Sequence, residues 1–414
     1  MSRPPSSFGR EHITFLVLNR RPILPQLPAW LPNTAEALVV LTAKSATAGL
    51  SAAAAGRFRR IEVVDDYESD EIDRRIDALC TQENVTRVLT TAEIDIVRAA
   101  RVRERHGLPG QSVASAVAYR HKYRMKELAS RAGVMVAPMA VVRRAEDLAS
   151  FVEIHGLPVV VKPADGAGSV GVTVLSDRAS IAAFGYQGDR EWLVEQFIAG
   201  TMCHVDGLMA GGQVLHGRPS RYLHANLDTA TRAAPSISGM FTTDDPLGRR
   251  LRAATAAVVA ALPAVAEVSA FHAEFFHTPQ DELVLCEIAC RPGGCGIVDA
   301  YELSFGVNLY AAHLRGQAGL GTPVAIKDEP AARHGWGWFP PRRGTLVRLP
   351  SSCQLPGARR FTPCGEPGLR YQGPSSSTDR VAELVFRLDD AHPVEAQLRA
   401  VEDWWDRAAR WSPL

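Results

Sequence analysis

The sequence carries little net charge. Its 414 residues have a formal net charge of +1, so no broad electrostatic attraction to nucleic acid or to a membrane surface is expected. A charged substrate would have to be recognised by charges concentrated in one site. We therefore expect neither a nucleic-acid partner nor a membrane partner.

Cysteines and long apolar runs are also scarce. The 7 cysteines are an odd number scattered along the chain, which argues against a disulfide framework and favours reduced thiols. No window approaches the roughly 18 apolar residues that a membrane-spanning helix needs, and the nearest, residues 253–268, is interrupted by Pro263 and Glu267. The apolar run at residues 13–18 is too short for a signal peptide. These absences predict a cytoplasmic protein.

Apolar residues make up 46% of the chain, which is enough to build a large core. Residues 1–112 alternate short apolar runs with helical patterns, as α/β units with a parallel sheet do. Residues 113–315 begin with helical patterns and continue through strand-like runs, with a loop-rich stretch at 211–248. Residues 316–414 combine strand patterns with a final helical pattern, which predicts an α+β lobe.

A glycine-rich segment suggests a phosphate-binding loop. Gly166, Gly168 and Gly171 have the G-x-G-x-x-G spacing of a dinucleotide-binding turn, which requires a strand before it and a helix after it. Residues 172–175 instead form a β-branched run that favours a second strand. A protein kinase also places such glycines between strands, but the sequence has no H-R-D and no D-F-G. What remains is a glycine hairpin that either covers nucleotide phosphates or is a flexible tip.

Several motifs, read in order, resemble one enzyme superfamily. The segments TTAEID, VVVKPADGAGSVGV, WLVEQFIAG, HAEFF and CEIACRPGG lie within about residues 80–315. Their order and spacing resemble the ATP-grasp superfamily of carboxylate–amine ligases, and most closely the L-amino-acid (dipeptide) ligases. The resemblance implies an α/β ATP-grasp fold with an N-terminal parallel-sheet domain at 1–112, an ATP-grasp domain at 113–315 and a C-terminal α+β lobe at 316–414. The nucleotide lid would cover about residues 135–200.

The resemblance also implies nucleotide contacts. Lys122 and Lys162 match the two lysines that bind ATP phosphates, and Glu195 matches a hinge residue at the adenine amino group. The further nucleotide contacts expected from the glycine loop and the hinge are Gly168, Ser169, Gly171, Gln196, Phe197 and Ile198. Met202 stands where the family often has a ribose-binding Glu, so His204 or Asp206 is expected to take that contact.

A pair of glutamates indicates a metal site. Residues 270–291 form a predicted hairpin that turns near 279–281, which would place Glu274 opposite Glu287. Facing carboxylates repel each other unless a cation bridges them, and their hard oxygens suit Mg²⁺. The alternative is two solvated strand carboxylates. Arg291 falls on the face of Glu287 and is expected to hold the transferring phosphoryl group or a substrate carboxylate, with Lys162 assisting catalysis.

Some nearby residues depart from the family pattern or suggest other roles. Ala289 replaces the Asn that the family usually has as a metal ligand. Cys286, Cys290 and Cys295 lack zinc-type spacing, and Cys286 and Cys290 are predicted to pack in the core on the face opposite Glu287. His272 lies on the Glu274 face, where it would contact either the substrate or a polar neighbour. Trp336 is expected to pack in the C-terminal lobe.

The predicted reaction uses ATP and Mg²⁺ to activate a small-molecule carboxylate as an acyl phosphate, which an amine then attacks to give an amide, ADP and phosphate. By resemblance, the substrates would be amino acids, the setting would be peptide or natural-product biosynthesis, and the assembly would be a homodimer. Two alternatives stay open: another acceptor, such as a carrier-protein thiol or bicarbonate, and a nucleotide-binding protein without catalysis. A biotin-accepting lysine in a Met-Lys context would favour the carboxylase, but the one Met-Lys pair, Met125–Lys126, lies within a predicted helix, which argues against it.

Overall fold

The computed structural model describes residues 13–32, 37–69, 71–186, 188, 190–321 and 326–412. Its first sheet comes from the N-terminal part of the chain and has the strands β1 (Phe15–Asn19), β2 (Leu38–Ala43), β3 (Arg60–Val64) and β4 (Arg87–Thr90). They are parallel, in the order β3–β2–β1–β4. β1 and β2 are buried along their whole length, as expected where helices cover both faces of a parallel sheet. The associated helices are α1 (Leu27–Trp30), α2 (Ala52–Ala55), α3 (Glu71–Gln82) and α4 (Asp95–His106), with 3₁₀ turns at Leu24–Gln26 and Lys44–Thr47.

The second sheet is a small antiparallel unit that carries the glycine loop. Its strands are β5 (Met139–Val142), β6 (Val159–Pro163), β7 (Thr173–Leu175) and β8 (Trp192–Gln196), in the order β5–β8–β6–β7. The helices around it are α5 (Val113–Ala118), α6 (Lys122–Arg131), α7 (Ala145–His155) and α8 (Arg178–Ala183). β6 pairs antiparallel with β7, so the glycines join two strands, as predicted from the β-branched run.

The third sheet is the largest and is antiparallel throughout. Its ATP-grasp part has the strands β9 (Thr201–Ala210), β10 (Gln213–Tyr222), β11 (Ser236–Met240), β12 (Ser269–His277) and β13 (Leu283–Ala289). Its C-terminal part has β14 (His334–Phe339), β16 (Ala358–Pro363) and β18 (Ala382–Arg387), and the strand order is β13–β12–β9–β10–β11–β14–β18–β16. Three strands from the residues after 316 thus extend the central sheet.

The remaining elements pack around this sheet. Its helices are α9 (Asn226–Arg232), α10 (Pro246–Ala261), α11 (Ile297–Phe305), α12 (Leu309–Gln317) and α13 (Val394–Ala408). A small outer sheet joins β15 (Arg343–Arg348), β17 (Arg370–Gln372) and β19 (Arg410–Ser412) in the order β17–β15–β19. None of the described helices combines the length and the apolar character that crossing a membrane would require.

The expectation of a loop-rich stretch at 211–248 was wrong. β10, α9 and β11 occupy most of it. The strand signal of β10 is hidden because Gly217 and Pro219 lie within it, and both residue types are uncommon inside strands. The strand forms because β9 pairs with it over nearly its full length, and this pairing buries the polar side chains of Arg218 and Ser220.

Candidate active site

A cavity of about 730 Å³ lies where the three larger sheets meet. It is bounded by the glycine loop, the end of β8, the β12–β13 hairpin and the loops after β1 and β4. The expected site residues that line it are Lys122, Lys162, Gly168, Ser169, Glu195, Gln196, Phe197, Ile198, Glu274, Glu287 and Arg291. The folded chain therefore brings together residues from segments that are far apart in sequence.

The glycine loop forms one wall of the cavity. Gly168 and Gly171 have φ values of +62° and +74°, and Ser169 between them has +59°, the left-handed region that glycine adopts at little cost. A Cβ atom on Gly171 would lie 3.1 Å from Cγ of Pro163. Gly171 thus packs closely against Pro163 and sets the conformation of the loop, whereas Gly168 and Ser169 line the cavity directly.

The hinge after β8 is built around one buried carboxylate. Glu195 forms an ion pair with Lys162, with 2.5 Å between Oε2 and Nζ, and a second one with Lys126. Burial opposes ionisation of Glu195, but the two ammonium groups outweigh burial and hold its pKa at about 2. Lys126 is 2% exposed, so it is not available for biotin attachment. Sequence reasoning missed this structural role because helical periodicity does not identify a partner on another element.

The main chain of the hinge is partly occupied. The N–H of Gln196 donates to the carbonyl of Pro138 at 3.0 Å, and the N–H of Phe197 donates to that of Pro158 at 3.1 Å. These two N–H groups are therefore not free to bind adenine. The backbone contacts that we still expect for adenine are the hinge carbonyls and the N–H of Ile198.

Lys122 connects the glycine loop with the predicted metal site. It is the first residue of α6, and its Nζ lies 2.6 Å from the carbonyl oxygen of Gly166 and 3.0 Å from Oε2 of Glu287. Burial would raise the pKa of Glu287, but Lys122 and Lys162 hold it at about 2. Glu287 is consequently ionised at neutral pH.

The predicted facing of Glu274 and Glu287 is confirmed by the strand register, which pairs them directly across the hairpin. Oε1 of Glu274 accepts hydrogen bonds from Tyr222 Oη (3.0 Å) and Asn226 Nδ2 (2.8 Å), and it lies 3.1 Å from Nε2 of His272. These contacts converge on one oxygen of the carboxylate. Two facing carboxylates at the end of the cavity form the hard-oxygen donor set that suits Mg²⁺, so the residues present fit that ion.

His204 does not line this cavity, which corrects its expected role as a ribose contact. It lies on the same sheet face as Glu274, but the rings of Tyr222 and Trp336 pack against it, with centroids 4.6 and 6.4 Å away. Its ring nitrogens contact Asp206 Oδ2 at 2.5 Å and Ser238 Oγ at 2.6 Å. The side chain is thus enclosed and already hydrogen-bonded.

His204, Asp206 and His272 form a buried cluster whose possible ligand atoms lie within 4.8 Å of one another. Asp206 contacts both histidines through separate oxygens, and Oδ1 lies 2.8 Å from Nδ1 of His272. Burial opposes protonation of His272, but Asp206 and Glu274 raise its pKa to about 10. We interpret the cluster as a satisfied hydrogen-bond network behind Glu274, because its carboxylate is already used by the two imidazoles.

Arg291 is paired with the carboxylate of Glu93 at the cavity. Its Nε and Nη2 both donate to Oε2 of Glu93, at 3.0 and 2.7 Å, and Arg120 lies 3.4 Å from the other oxygen. Burial would raise the pKa of Glu93, but the guanidinium group of Arg291 outweighs the effect of burial and lowers the pKa of that carboxyl group. Sequence reasoning missed Glu93, although it follows β4 at the carboxyl end of a parallel strand, the edge at which ligands bind in open α/β sheets.

Two further residues pack in the core as expected and also border the cavity. Cys286 is partly buried against the core and lines the cavity, because the register shifts between Glu274 and Phe275 and such an irregularity breaks the two-residue alternation of side chains. Trp336 is 3% exposed and belongs to the core, and it also borders the cavity. Cys290 is buried in the core as predicted.

Comparisons with known proteins agree with this geometry. The family model described as the D-ala D-ala ligase C-terminus matches residues 128–298. An L-arginine-specific L-amino acid ligase of Bacillus subtilis is 24% identical over 341 residues, covering 76% of this chain and 78% of the relative. A D-alanine–D-alanine ligase of Syntrophobacter fumaroxidans is 34% identical over 120 residues, which cover 27% of this chain but only 38% of that enzyme.

Solved structures share the whole architecture. The crystal structure of an L-amino acid ligase from Bacillus licheniformis superposes with a TM-score of 0.74 at 16% identity, covering 97% of this chain and 99% of that one. An N5-carboxyaminoimidazole ribonucleotide synthetase in complex with ADP gives a TM-score of 0.66 at 15% identity, covering 96% and 97%. These sequence relatives and this fold, together with the arrangement of lysines and carboxylates, support an ATP-grasp carboxylate–amine ligase with ATP-dependent ligase activity.

Proposed function

We propose that this enzyme forms an amide bond between two amino acids through an acyl-phosphate intermediate. The observation that carries the proposal is the meeting of Lys122, Lys162 and Arg291 with the facing Glu274 and Glu287 around one cavity. A relative that matches 76% of this chain is described as an L-arginine-specific L-amino acid ligase, which supports amino acids as substrates.

The first step is phosphoryl transfer. A carboxylate oxygen of the first substrate attacks the γ-phosphorus of ATP, the bond from that phosphorus to the bridging oxygen breaks, and ADP leaves. Lys162 and Lys122 would bind the phosphate oxygens, because both ammonium groups reach the cavity beside the glycine loop. A divalent cation bound by Glu274 and Glu287 would supply further neutralisation of phosphate charge.

The second step is aminolysis. The amine nitrogen attacks the carbonyl carbon of the acyl phosphate, inorganic phosphate leaves, and the nitrogen loses a proton to give the amide. Arg291 would stabilise negative charge on the transferring phosphoryl group or on the tetrahedral oxygen, held in place by its two hydrogen bonds to Glu93. The glycine loop would exclude water, which otherwise hydrolyses the acyl phosphate.

The test is phosphate release from ATP with Mg²⁺ against a panel of amino acids, singly and in pairs, with mass spectrometry of the products. We expect release that depends on two amino acids, and a product with the matching dipeptide mass. Glu287→Gln should lower kcat/KM by about 100-fold or more, since it removes a charge that positions the phosphates.

Glu282→Gln is the matched control, because this exposed residue lies in the turn of the same hairpin and should retain wild-type rates. The proposal fails if no amino acid, alone or paired, yields phosphate and a condensed product while ATP still binds.

A further inference from the structure

Arg21 lines the same cavity but takes no part in the chemistry proposed above. It follows β1, at the carboxyl end of the parallel N-terminal sheet. It thus approaches the cavity from the N-terminal sheet, whereas Lys162 lies on the small antiparallel sheet and Glu287 on the central sheet. Ligands bind in open α/β sheets beyond the carboxyl ends of the strands.

The backbone of Arg21 is fixed by a buried side chain. Asn19 is fully buried; its Nδ2 donates to the carbonyl of Arg21 at 2.9 Å, and its Oδ1 accepts from the N–H of Arg21 at 3.3 Å. The same Nδ2 also donates to Thr42 Oγ1 on the neighbouring strand at 2.9 Å. The position of Arg21 is therefore set before any ligand arrives.

The guanidinium group of Arg21 has no carboxylate partner within the part of the chain that the structure describes. Its Nε is buried without a hydrogen bond, and its guanidinium carbon lies 5.8 Å from the ring centroid of Tyr310. The other cavity arginines are neutralised: Arg20 pairs with Glu68 at 2.6 Å and Arg291 with Glu93 at 2.7 Å. Arg21 thus presents an uncompensated positive charge to the cavity.

Arg21 and Arg291 line the same cavity as Cys295. Burial raises the pKa of the Cys295 thiol to about 12, although Arg21, Arg380 and Arg291 all act to lower it. Two cationic groups that line one cavity suit two separate anions. Joining two amino acids supplies them, because one carboxylate reacts and the other stays free.

We infer that Arg21 binds the free carboxylate of the amine substrate, so the enzyme takes α-amino acids as amine donors in preference to simple amines or amines without a carboxylate. The inference rests on the proposed function and names the second substrate class. Bidentate pairing of guanidinium and carboxylate gives such a contact both strength and orientation. The phosphates of ATP have their own cations in Lys122 and Lys162.

The experiment separates activation of the acid from use of the amine. Hydroxylamine traps an acyl phosphate as a hydroxamate and has no carboxylate, so hydroxamate formation reports only the acid and ATP. Dipeptide formation is then measured with an L-amino acid as amine donor and with its carboxamide. Wild type, Arg21→Gln and Arg20→Gln are compared, and Arg20 is the neighbouring cavity arginine whose charge is already paired.

We expect wild type to prefer the amino acid over its carboxamide, and Arg21→Gln to raise KM for the amino acid by about 10- to 100-fold and abolish the preference. Hydroxamate formation and KM for ATP should change far less, and Arg20→Gln should keep the preference. Equal use of amino acid and carboxamide by wild type overturns the inference, as does a loss in Arg21→Gln that falls on ATP. If no acid yields hydroxamate, the proposed function fails, and this inference with it.

Discussion

At the scale of single residues, the site depends on a few buried charges that neutralise one another. In the hinge, Glu195 neutralises the ammonium groups of Lys126 and Lys162, and all three side chains are buried. Removing one partner of a buried pair leaves the other charge uncompensated, which costs far more than the pair contributes net. The hinge carboxylate is therefore as much a structural element as a nucleotide contact.

Glu195→Gln should lower the free energy of unfolding at pH 7 by roughly 3–5 kcal/mol, because two ammonium groups lose their counter-ion. The pKa of Glu195 is about 2 in the folded protein against an ordinary 4.5. Its stabilising contribution is therefore fully present above about pH 4.5 and is lost as the pH falls towards 2. The measurement is urea unfolding between pH 7 and pH 3.

The difference between wild type and variant should shrink as the pH falls, which is the part of the prediction specific to this carboxylate. Glu153→Gln, an exposed change on α7, should alter neither stability nor its pH dependence by a comparable amount. A constant difference across this pH range would contradict the assigned ion pairs.

At the scale of secondary-structure elements, the β6–β7 hairpin determines how closely the main chain approaches the cavity. Gly171 combines a positive φ with a Cβ direction that points at Pro163. Ser377 of the C-terminal segment donates its N–H to the carbonyl of Gly168 at 3.1 Å. The loop is therefore held by its own conformation and by a contact from the far end of the chain.

Gly171→Ala should weaken nucleotide binding by about 5- to 30-fold, since a left-handed alanine costs roughly 1–2 kcal/mol and the loop would move to relieve it. Titration with a fluorescent ATP analogue measures this loss. Gly185→Ala provides the control, because this exposed glycine on the same lid has no atom within 4 Å of an added Cβ. Equal nucleotide affinity in both variants would show that the loop conformation does not set the affinity.

At the scale of the whole molecule, the N-terminal sheet must be held against the central sheet for Glu93 to meet Arg291. Gln317 at the end of α12 makes this connection. Its Oε1 accepts from the N–H of Thr90 at 3.1 Å and from Arg103 Nη2 at 3.0 Å, and its Nε2 donates to the carbonyl of Thr90 at 2.8 Å. One amide thus fixes the end of β4, three residues before Glu93.

Gln317→Ala should reduce stability by about 1–3 kcal/mol, because it leaves the N–H of Thr90 without its side-chain acceptor and removes one of the two acceptors of Arg103 Nη2. It should also raise KM for the carboxylate substrate more than KM for ATP, since Glu93 and Arg291 lose their alignment while the lid is untouched. Steady-state kinetics and urea unfolding test both effects. Gln280→Ala, in the exposed hairpin turn, should change neither, and a selective loss of ATP affinity in Gln317→Ala would argue against this coupling.

Features that depend on residues close together in the chain could be predicted from local sequence patterns. The facing of Glu274 and Glu287 follows from a short hairpin, and the glycine loop between strands follows from β-branched residues after Gly171. Such patterns are readable because strand alternation and turn geometry act over a few residues. The family motifs added the roles of Lys122 and Lys162 as expectations.

The partners of the charged side chains in the site depend on packing between distant segments. Arg291 and Glu93 are 198 positions apart, and nothing local to either residue indicates their contact. The enclosure of His204, the exposure of Cys286 to the cavity and the unpaired charge of Arg21 depend equally on packing between distant segments. The alternation of side chains along a strand predicts which face of the sheet a residue occupies. The neighbours on that face depend on how the sheets pack against each other. Those neighbours determine which charges are neutralised and which remain to bind a substrate.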